Sequence, residues 1–280
     1  MSKSVFLRTQ RLAGGVDLWF TGGMDRALFD LLGRTALVTG AGRGIGLALA
    51  RGLADHGADV VLVARTAEQL EAGKRRIEDE TGRKAWGLPF DLSNTAGVAP
   101  FFDRVVEEVG AVDILVNCAG VNLRGTTEDV APETFRRVMD VNLTAALMLS
   151  QAFCRHRKQV SRPGRIINIG SLLCQAARAT IAAYTCSKTG LLGLTKTLAV
   201  EWAKYDINVN AIGPGYIDTE LTAPLKADAN FDRWVLTNTP LGRWGRPGEL
   251  VGVAVLLASQ AGDFITGQIF YVDGGWTALL

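Results

Sequence analysis

Histidine is nearly missing from this 280-residue chain, which has only His56 and His156, and its four cysteines form no Cys-x-x-Cys pair. Neither imidazole has a plausible cysteine or carboxylate ligand set nearby, so no metal site and no histidine-based acid/base centre is expected. Scattered Cys118, Cys154, Cys174 and Cys186 suit a reducing, cytoplasmic setting better than a disulfide framework. Long apolar runs are also lacking. The stretch 250–258 is among the longest and is far too short to cross a bilayer, so no membrane partner is expected. Charge is nearly balanced, 30 Lys plus Arg against 28 Asp plus Glu for a net +2, which leaves no strong field to draw nucleic acid. The densest basic run, Arg155-His156-Arg157-Lys158, reads as a solvated helix end whose cations complement the carbonyl end of the dipole.

At the N-terminus, Lys3, Arg8 and Arg11 precede a segment broken by Gly14, Gly15 and Asp17, which leaves no continuous apolar core for a secretion signal. Residues 1–23 are therefore expected to be a poorly ordered extension ahead of one domain, 24–280. The 48% hydrophobic content is ample for the core of such a domain. Short β-branched runs at 35–39, 59–64, 85–90, 114–117, 165–169, 207–212 and 269–272 alternate with helical patterns such as 45–55, 67–80, 132–155, 182–204 and 247–259. Alternation of this kind builds βαβ units on a parallel sheet. The right-handed crossover then gives a single doubly wound, Rossmann-type α/β domain with a central parallel seven-stranded sheet. The stretch 213–245 breaks the pattern. Its Pro214, Pro224 and Pro240, with Tyr216, Phe231, Trp234 and Trp244, suit a lid over a ligand crevice.

Two motifs carry chemistry. The first is the turn Thr39-Gly40-Ala41-Gly42-Arg43-Gly44-Ile45-Gly46, between a first strand and a first helix. Unpaired N–H groups and the positive helix end there face an incoming pyrophosphate, and Gly40, Gly44 and Gly46 let the backbone approach it closely. The end of the second strand reads Val63-Ala64-Arg65-Thr66, with no carboxylate to hold ribose hydroxyls. Arg43 and Arg65 have planar forks that suit a 2′-phosphate, so NADP(H) is expected over NAD(H).

The second motif is Ser171, Tyr184 and Lys188, spaced Ser-x12-Tyr-x3-Lys. Tyr184 and Lys188 lie one helical turn apart and share a face. A phenol must be shifted by about 3 pKa units, ~4 kcal/mol, to act near neutrality. An ammonium about 4 Å away at an effective dielectric near 20 supplies ~4 kcal/mol. Ser171, at a strand end, can donate to the oxygen whose charge changes.

With these motifs the chain resembles the short-chain dehydrogenase/reductase family. The likeness implies that Asp91-Leu92 contacts the adenine and that Asn117-Cys118-Ala119-Gly120 stands where the family has Asn-Asn-Ala-Gly. It also implies that Asn142 supports a water relay to the lysine and that Ser171, Tyr184 and Lys188 are catalytic. The Ile217 backbone and the Thr219 hydroxyl would meet the nicotinamide amide. A homotetramer built through long helices and the C-terminal strand is implied as well. Gly213-Pro214-Gly215-Tyr216, Thr219-Glu220-Leu221-Thr222 and Arg243-Trp244-Gly245 are most similar to gluconate 5-dehydrogenases. By that likeness the substrate is a sugar acid whose carboxylate meets Arg124 or Arg178. The alternatives are a 3-oxoacyl-[acyl-carrier-protein] reductase and, from another class, a non-catalytic NADP(H)-sensing protein. Val121-Asn122-Leu123-Arg124, in place of the usual Ile-Thr-Arg-Asp, weighs against the first, and the intact Ser-Tyr-Lys set against the second.

Overall fold

The computed structural model describes residues 27–279; the expected extension 1–23 lies outside the described residues. Seven strands form one parallel sheet: β1 (Thr35–Thr39), β2 (Asp59–Ala64), β3 (Ala85–Pro89), β4 (Ile114–Asn117), β5 (Gly164–Ile169), β6 (Ile207–Pro214) and β7 (Ile269–Val272). Their order is β3-β2-β1-β4-β5-β6-β7. The chain reverses direction across the sheet between β1 and β4, so a crevice opens above the carboxyl ends of those strands.

Both sheet faces are covered, which is why the central strands read as unbroken apolar runs. Val38, Val60, Leu62 and Val116 point to one face, against Leu49 and Leu53 of α1 (Gly44–Asp55) and Val255 of α9 (Val251–Ala258). Leu37, Val61, Val63 and Leu115 point to the other. There they meet Phe101 and Phe102 of α3 (Val98–Val109), Leu149 and Phe153 of α5 (Ala145–Val160), and Leu198 of α6 (Ala182–Trp202). α2 (Ala67–Thr81) closes over β3. No described helix is long and apolar enough to cross a membrane.

Two expectations need correction. The helix expected over 132–155 is interrupted. α4 (Pro132–Met139) passes through a π turn, Asp140–Thr144, before α5 begins, and Asn142 sits in that turn. Wide turns of this type open the helical ladder and recur at functional sites. The side chain of Asn142 explains the break. It is buried, accepts from Val121 N–H at 2.8 Å and donates to Val121 C=O at 3.0 Å, which fixes the loop after β4.

The basic run at the end of α5 is only half solvated. Arg155 and Lys158 are exposed, but His156 and Arg157 are buried. Arg157, 1% exposed, pairs with Asp113, 2% exposed, at 2.9 Å, and donates to the carbonyls of Val112, Arg162 and Pro163. His156 Nε2 accepts from Val112 N–H at 3.3 Å. The amphipathic period of α5 turns these two residues inward, where unpaired backbone carbonyls of the strand entrances need donors. Segment 213–245 carries α7 (Ala223–Lys226) and α8 (Ala229–Asn238), and Ile217 bridges to Gly245 at its two ends.

Arg157→Met leaves buried Asp113 with only the longer contact to exposed Arg162 at 3.8 Å and the Thr35 N–H, and should cost about 3 kcal/mol. Urea unfolding is expected to show the midpoint falling at unchanged slope. A loss under 1 kcal/mol would show that the pair is not a keystone of this edge.

Candidate active site

The site is assembled from strand ends. Thr39, the last residue of β1, is buried, and its Oγ1 donates to Val116 C=O at 3.3 Å and accepts from the N–H groups of Cys118 and Ala119 at 3.0 and 3.2 Å. One hydroxyl thus locks the two strands that flank the crevice. Gly40 follows at φ +67°, and a Cβ there would lie 2.9 Å from the Cα of Ala119. A Cβ on Gly46 would lie 2.3 Å from the Gly40 carbonyl oxygen. Close backbone approach requires both glycines, and at Gly40 the left-handed conformation requires it as well. α1 starts at Gly44 with no side-chain cap, so its first N–H groups and positive dipole end remain open toward the crevice.

Above this turn lies a cavity of about 490 Å³ lined by Gly40, Arg43, Gly44, Ile45, Gly46, Arg65, Asp91, Leu92, Ala119 and Gly120, then by Ser171, Tyr184, Lys188, Ile217 and Thr219. That size suits an extended small molecule or cofactor. The structure also brings in residues that sequence spacing did not single out. Gln69, Arg137 and Val141 line the same cavity, alongside Glu220, Leu221 and Thr222, which the sequence had already marked. Arg137 sits in the last turn of α4, just before the π turn, and no glycine or catalytic spacing points to it. Glu220 reaches the glycine turn, its Oε2 lying 3.6 Å from where a Gly44 Cβ would be. Asp91 accepts from Ser93 N–H at 2.9 Å, and that bond, more than the nearby Arg65 and Arg137, holds its carboxyl below the usual range.

Asn117 and Asn142 do not reach the cavity surface. Asn117 is buried beneath it and donates to Asn168 Oδ1 at 2.8 Å and Ser150 Oγ at 3.3 Å, a tie between β4, β5 and α5. The carboxamide of Asn142 is spent on Val121 and on Ser187 Oγ, 3.0 Å away. Its side chain braces the loop after β4 against α6.

At the inner end, Lys188 is buried, and its ammonium donates to Ile169 C=O at 2.7 Å and stands 5.7 Å from the centre of the Tyr184 ring. Desolvation lowers the lysine pKa. Desolvation also pushes the Tyr184 phenol up to about 12, against a hydrogen bond from Ser171 and the charge of Arg178 that pull it down. Thiols Cys174 and Cys118 add to the upward shift. In the coenzyme-free protein, desolvation of the phenol outweighs the pull of Ser171 and Arg178. Cys118 is likewise held neutral, its thiol raised to about 12 by burial.

Beyond Tyr184, Arg124 and Arg178 stand near one another outside the deep cavity. Arg178 Nη1 donates to Tyr216 OH at 3.3 Å. Partial desolvation and the Arg178 charge both lower the pKa of Arg124. Among the described residues neither arginine forms an ion pair. No group of His, Cys, Asp and Glu that could hold a metal is found among the described residues.

Comparison with known proteins decides the family. The model of the family described as enoyl-(acyl carrier protein) reductase, a short-chain dehydrogenase family, matches residues 40–277. The chain is 42% identical to the gluconate 5-dehydrogenase of Gluconobacter oxydans over 90% of this chain and 98% of that protein. It is 38% identical to the 5-keto-D-gluconate 5-reductase of Escherichia coli, over 89% and 97%. The chain belongs to the short-chain dehydrogenase/reductase family. Within that family a solved gluconate 5-dehydrogenase from Burkholderia cenocepacia, in complex with NADP and tartrate, is 44% identical, with a TM-score of 0.87 over 91% of this chain and 99% of that one. The protein is accordingly an oxidoreductase of the short-chain type.

The raised phenol makes a spectroscopic prediction. In ultraviolet difference titration of the wild type against Tyr184→Phe, the Tyr184 contribution should remain unionised at pH 10. A phenolate signal near neutral pH in the coenzyme-free protein would contradict the desolvation argument.

Proposed function

We propose that the protein is an NADP(H)-dependent dehydrogenase that interconverts a secondary alcohol and a ketone on a sugar acid of the gluconate/5-keto-gluconate type. The observation that carries the substrate class is the pair Arg124 and Arg178. Arg178 lies close enough to be felt by both the reacting tyrosine and Arg124, and among the described residues no carboxylate forms an ion pair with either arginine. Like charges held together in this way call for an anion from outside, and a planar carboxylate fits their forks. The names of the relatives agree: they act on gluconate and 5-keto-gluconate.

For the coenzyme, the crevice offers the open end of α1, the glycine cradle, and Arg43 and Arg65 where the end of β2 has no acidic residue. A phosphate-bearing adenosine matches that end better than a free diol, and NADP is bound in related structures. NADP(H) would lie along the lined cavity with its adenosine near Arg65, Asp91 and Leu92 and its nicotinamide near Ile217, Thr219 and Tyr184. When bound it supplies or accepts the hydride at the carbinol carbon.

The chain's own residues handle the proton. In reduction Tyr184, which desolvation keeps protonated, donates its phenolic proton to the carbonyl oxygen. Ser171 donates a hydrogen bond to the same oxygen as its charge develops. Lys188 lies at the cavity wall within reach of the proton-transfer site and steadies the phenolate left behind. Asn142, acting through Val121 and Ser187, positions the loop and helix that carry these groups. The lid segment contributes Ile217, Thr219, Glu220 and Leu221 to the cavity. A homotetramer and a cytoplasmic setting complete the reading, the latter consistent with four free thiols in the fold.

A screen of NADPH oxidation over 5-keto-gluconate, other keto-sugar acids and acetoacetyl thioesters tests the substrate class. Turnover is expected with the keto-sugar acids, and activity confined to thioesters would replace this reading with the acyl-carrier reductase. In the same assay kcat/KM should favour NADPH over NADH by at least about tenfold, the value of one charge-assisted contact, and Arg65→Ala should erase most of that preference. A preference for NADH would refute the coenzyme assignment.

A further inference from the structure

Arg178 is held in a way that a solvent-facing loop arginine is not. Five aromatic rings meet beside it. Tyr216 stands at the centre, its ring centre 5.7 Å from Phe231, 5.8 Å from Trp234, 5.7 Å from Trp244 and 4.9 Å from Trp276, every contact edge to face. Trp234 also meets Phe231 at 5.3 Å and Trp276 at 4.9 Å. Trp244 is buried and anchored by its Nε1, which donates to Asp232 at 2.7 Å. Each of these rings is therefore braced by others. Against this rigid wall the Arg178 guanidinium lies 4.9 Å over the face of Phe231 while its Nη1 donates to Tyr216 OH at 3.3 Å.

We propose that Tyr216 is a positioning residue that, with the Phe231 ring, fixes the fork of Arg178 so that its free N–H edge reads the carboxylate of a keto acid. The inference rests on the sugar-acid reading and deepens it. Stacking uses the face of the guanidinium, and the Tyr216 hydroxyl takes a donor from Nη1 alone. A guanidinium has five N–H donors in one plane, so donors remain along its edge for a bidentate partner. An unrestrained arginine loses much rotamer freedom when it binds an anion; here the aromatic wall has already removed it.

The wall also couples this end of the site to the chemistry. Tyr216 and Trp276 pack with Tyr184 around Leu172, Leu173 and Ile181. Arg178 lies on the loop between Ser171 and α6, whereas Tyr216, Phe231 and Trp234 belong to segment 213–245. The Arg178–Tyr216 hydrogen bond therefore joins the catalytic loop to the segment that lines the crevice. A carboxylate on Arg178 is set at a fixed distance from the oxygen that Tyr184 serves, which selects the position of the ketone along the chain as well as the charge at its end. The carbon between them has no freedom to slide.

The test compares kcat/KM for 5-keto-gluconate with that for a neutral ketohexose, using NADPH throughout, in the wild type, Tyr216→Phe, Phe231→Leu and Phe231→Tyr. The wild type is expected to prefer the acid strongly. Tyr216→Phe and Phe231→Leu should each lower that preference about tenfold, through KM for the acid, with kcat changed less than about twofold and the NADPH Kd unmoved. Phe231→Tyr keeps a ring face and should retain the preference. A wild type that does not discriminate would sink the sugar-acid reading and this inference with it. A discriminating wild type whose preference survives both Tyr216→Phe and Phe231→Leu would overturn the inference alone. An equal fall with both substrates would also overturn it, because a merely structural wall gives that result. If Tyr216→Phe fails to fold, Arg178→Lys carries the test: it keeps the charge but loses the planar fork, and full retention of the preference would overturn the proposal.

Discussion

Desolvation at the mouth of the sheet governs this protein. A phenol and an amine are withdrawn from water one helical turn apart, and no carboxylate is placed between them to settle the charge. Burial pushes Tyr184 up to about 12 and Lys188 below its ordinary value, so both groups are held nearer their neutral forms than free side chains would be. The surrounding thiols follow the same rule. A site of this kind waits for charge from its ligands. Arg43, Arg65 and Arg137 line one end of the cavity, and Arg124 and Arg178 stand outside the other, an arrangement that suits anionic ligands meeting over a neutral centre.

That arrangement depends on how tightly β1 and β4 are held. Thr39 spends its hydroxyl on three backbone groups of the neighbouring strand and loop, and Gly40 permits the contact with Ala119 that a side chain would block. Asn117 and Asn142 extend the same work. One ties β4 to β5 and α5 from below; the other clamps Val121 from the side. The polar residues around the crevice therefore divide into those that face it and those that hold its walls.

Most of the architecture was legible in the sequence because central parallel strands are covered on both faces and read as apolar runs; β1, β2, β4 and β7 fall on the expected residues. Gly40, Gly44, Gly46, Ser171, Tyr184 and Lys188 announce themselves by spacing, and all of them line one cavity. What stayed hidden depends on three-dimensional partners. The π turn at Asp140–Thr144 keeps a helical pattern on either side, so periodicity runs straight through it. Arg157 looks like any cation near a helix end until Asp113, far away in sequence, is brought against it. Asn117 sits in a motif that suggests contact with the coenzyme, yet which way a strand-end side chain points is set by its register, and here it points down to Asn168. The attraction between Lys188 and Tyr184 can be calculated from spacing, whereas the desolvation that opposes it in the coenzyme-free protein needs the packed surroundings.

The central claim is that the proton moved in the reaction belongs to the Tyr184 hydroxyl. Single-turnover reduction of 5-keto-gluconate by NADPH in Tyr184→Phe tests it most directly, with NADPH binding measured on the same sample. The account predicts a rate lowered by roughly a thousandfold or more, in the range of a lost general acid that also bonds the oxygen, with coenzyme affinity kept. A variant that turns over within a few-fold of the wild type would contradict it.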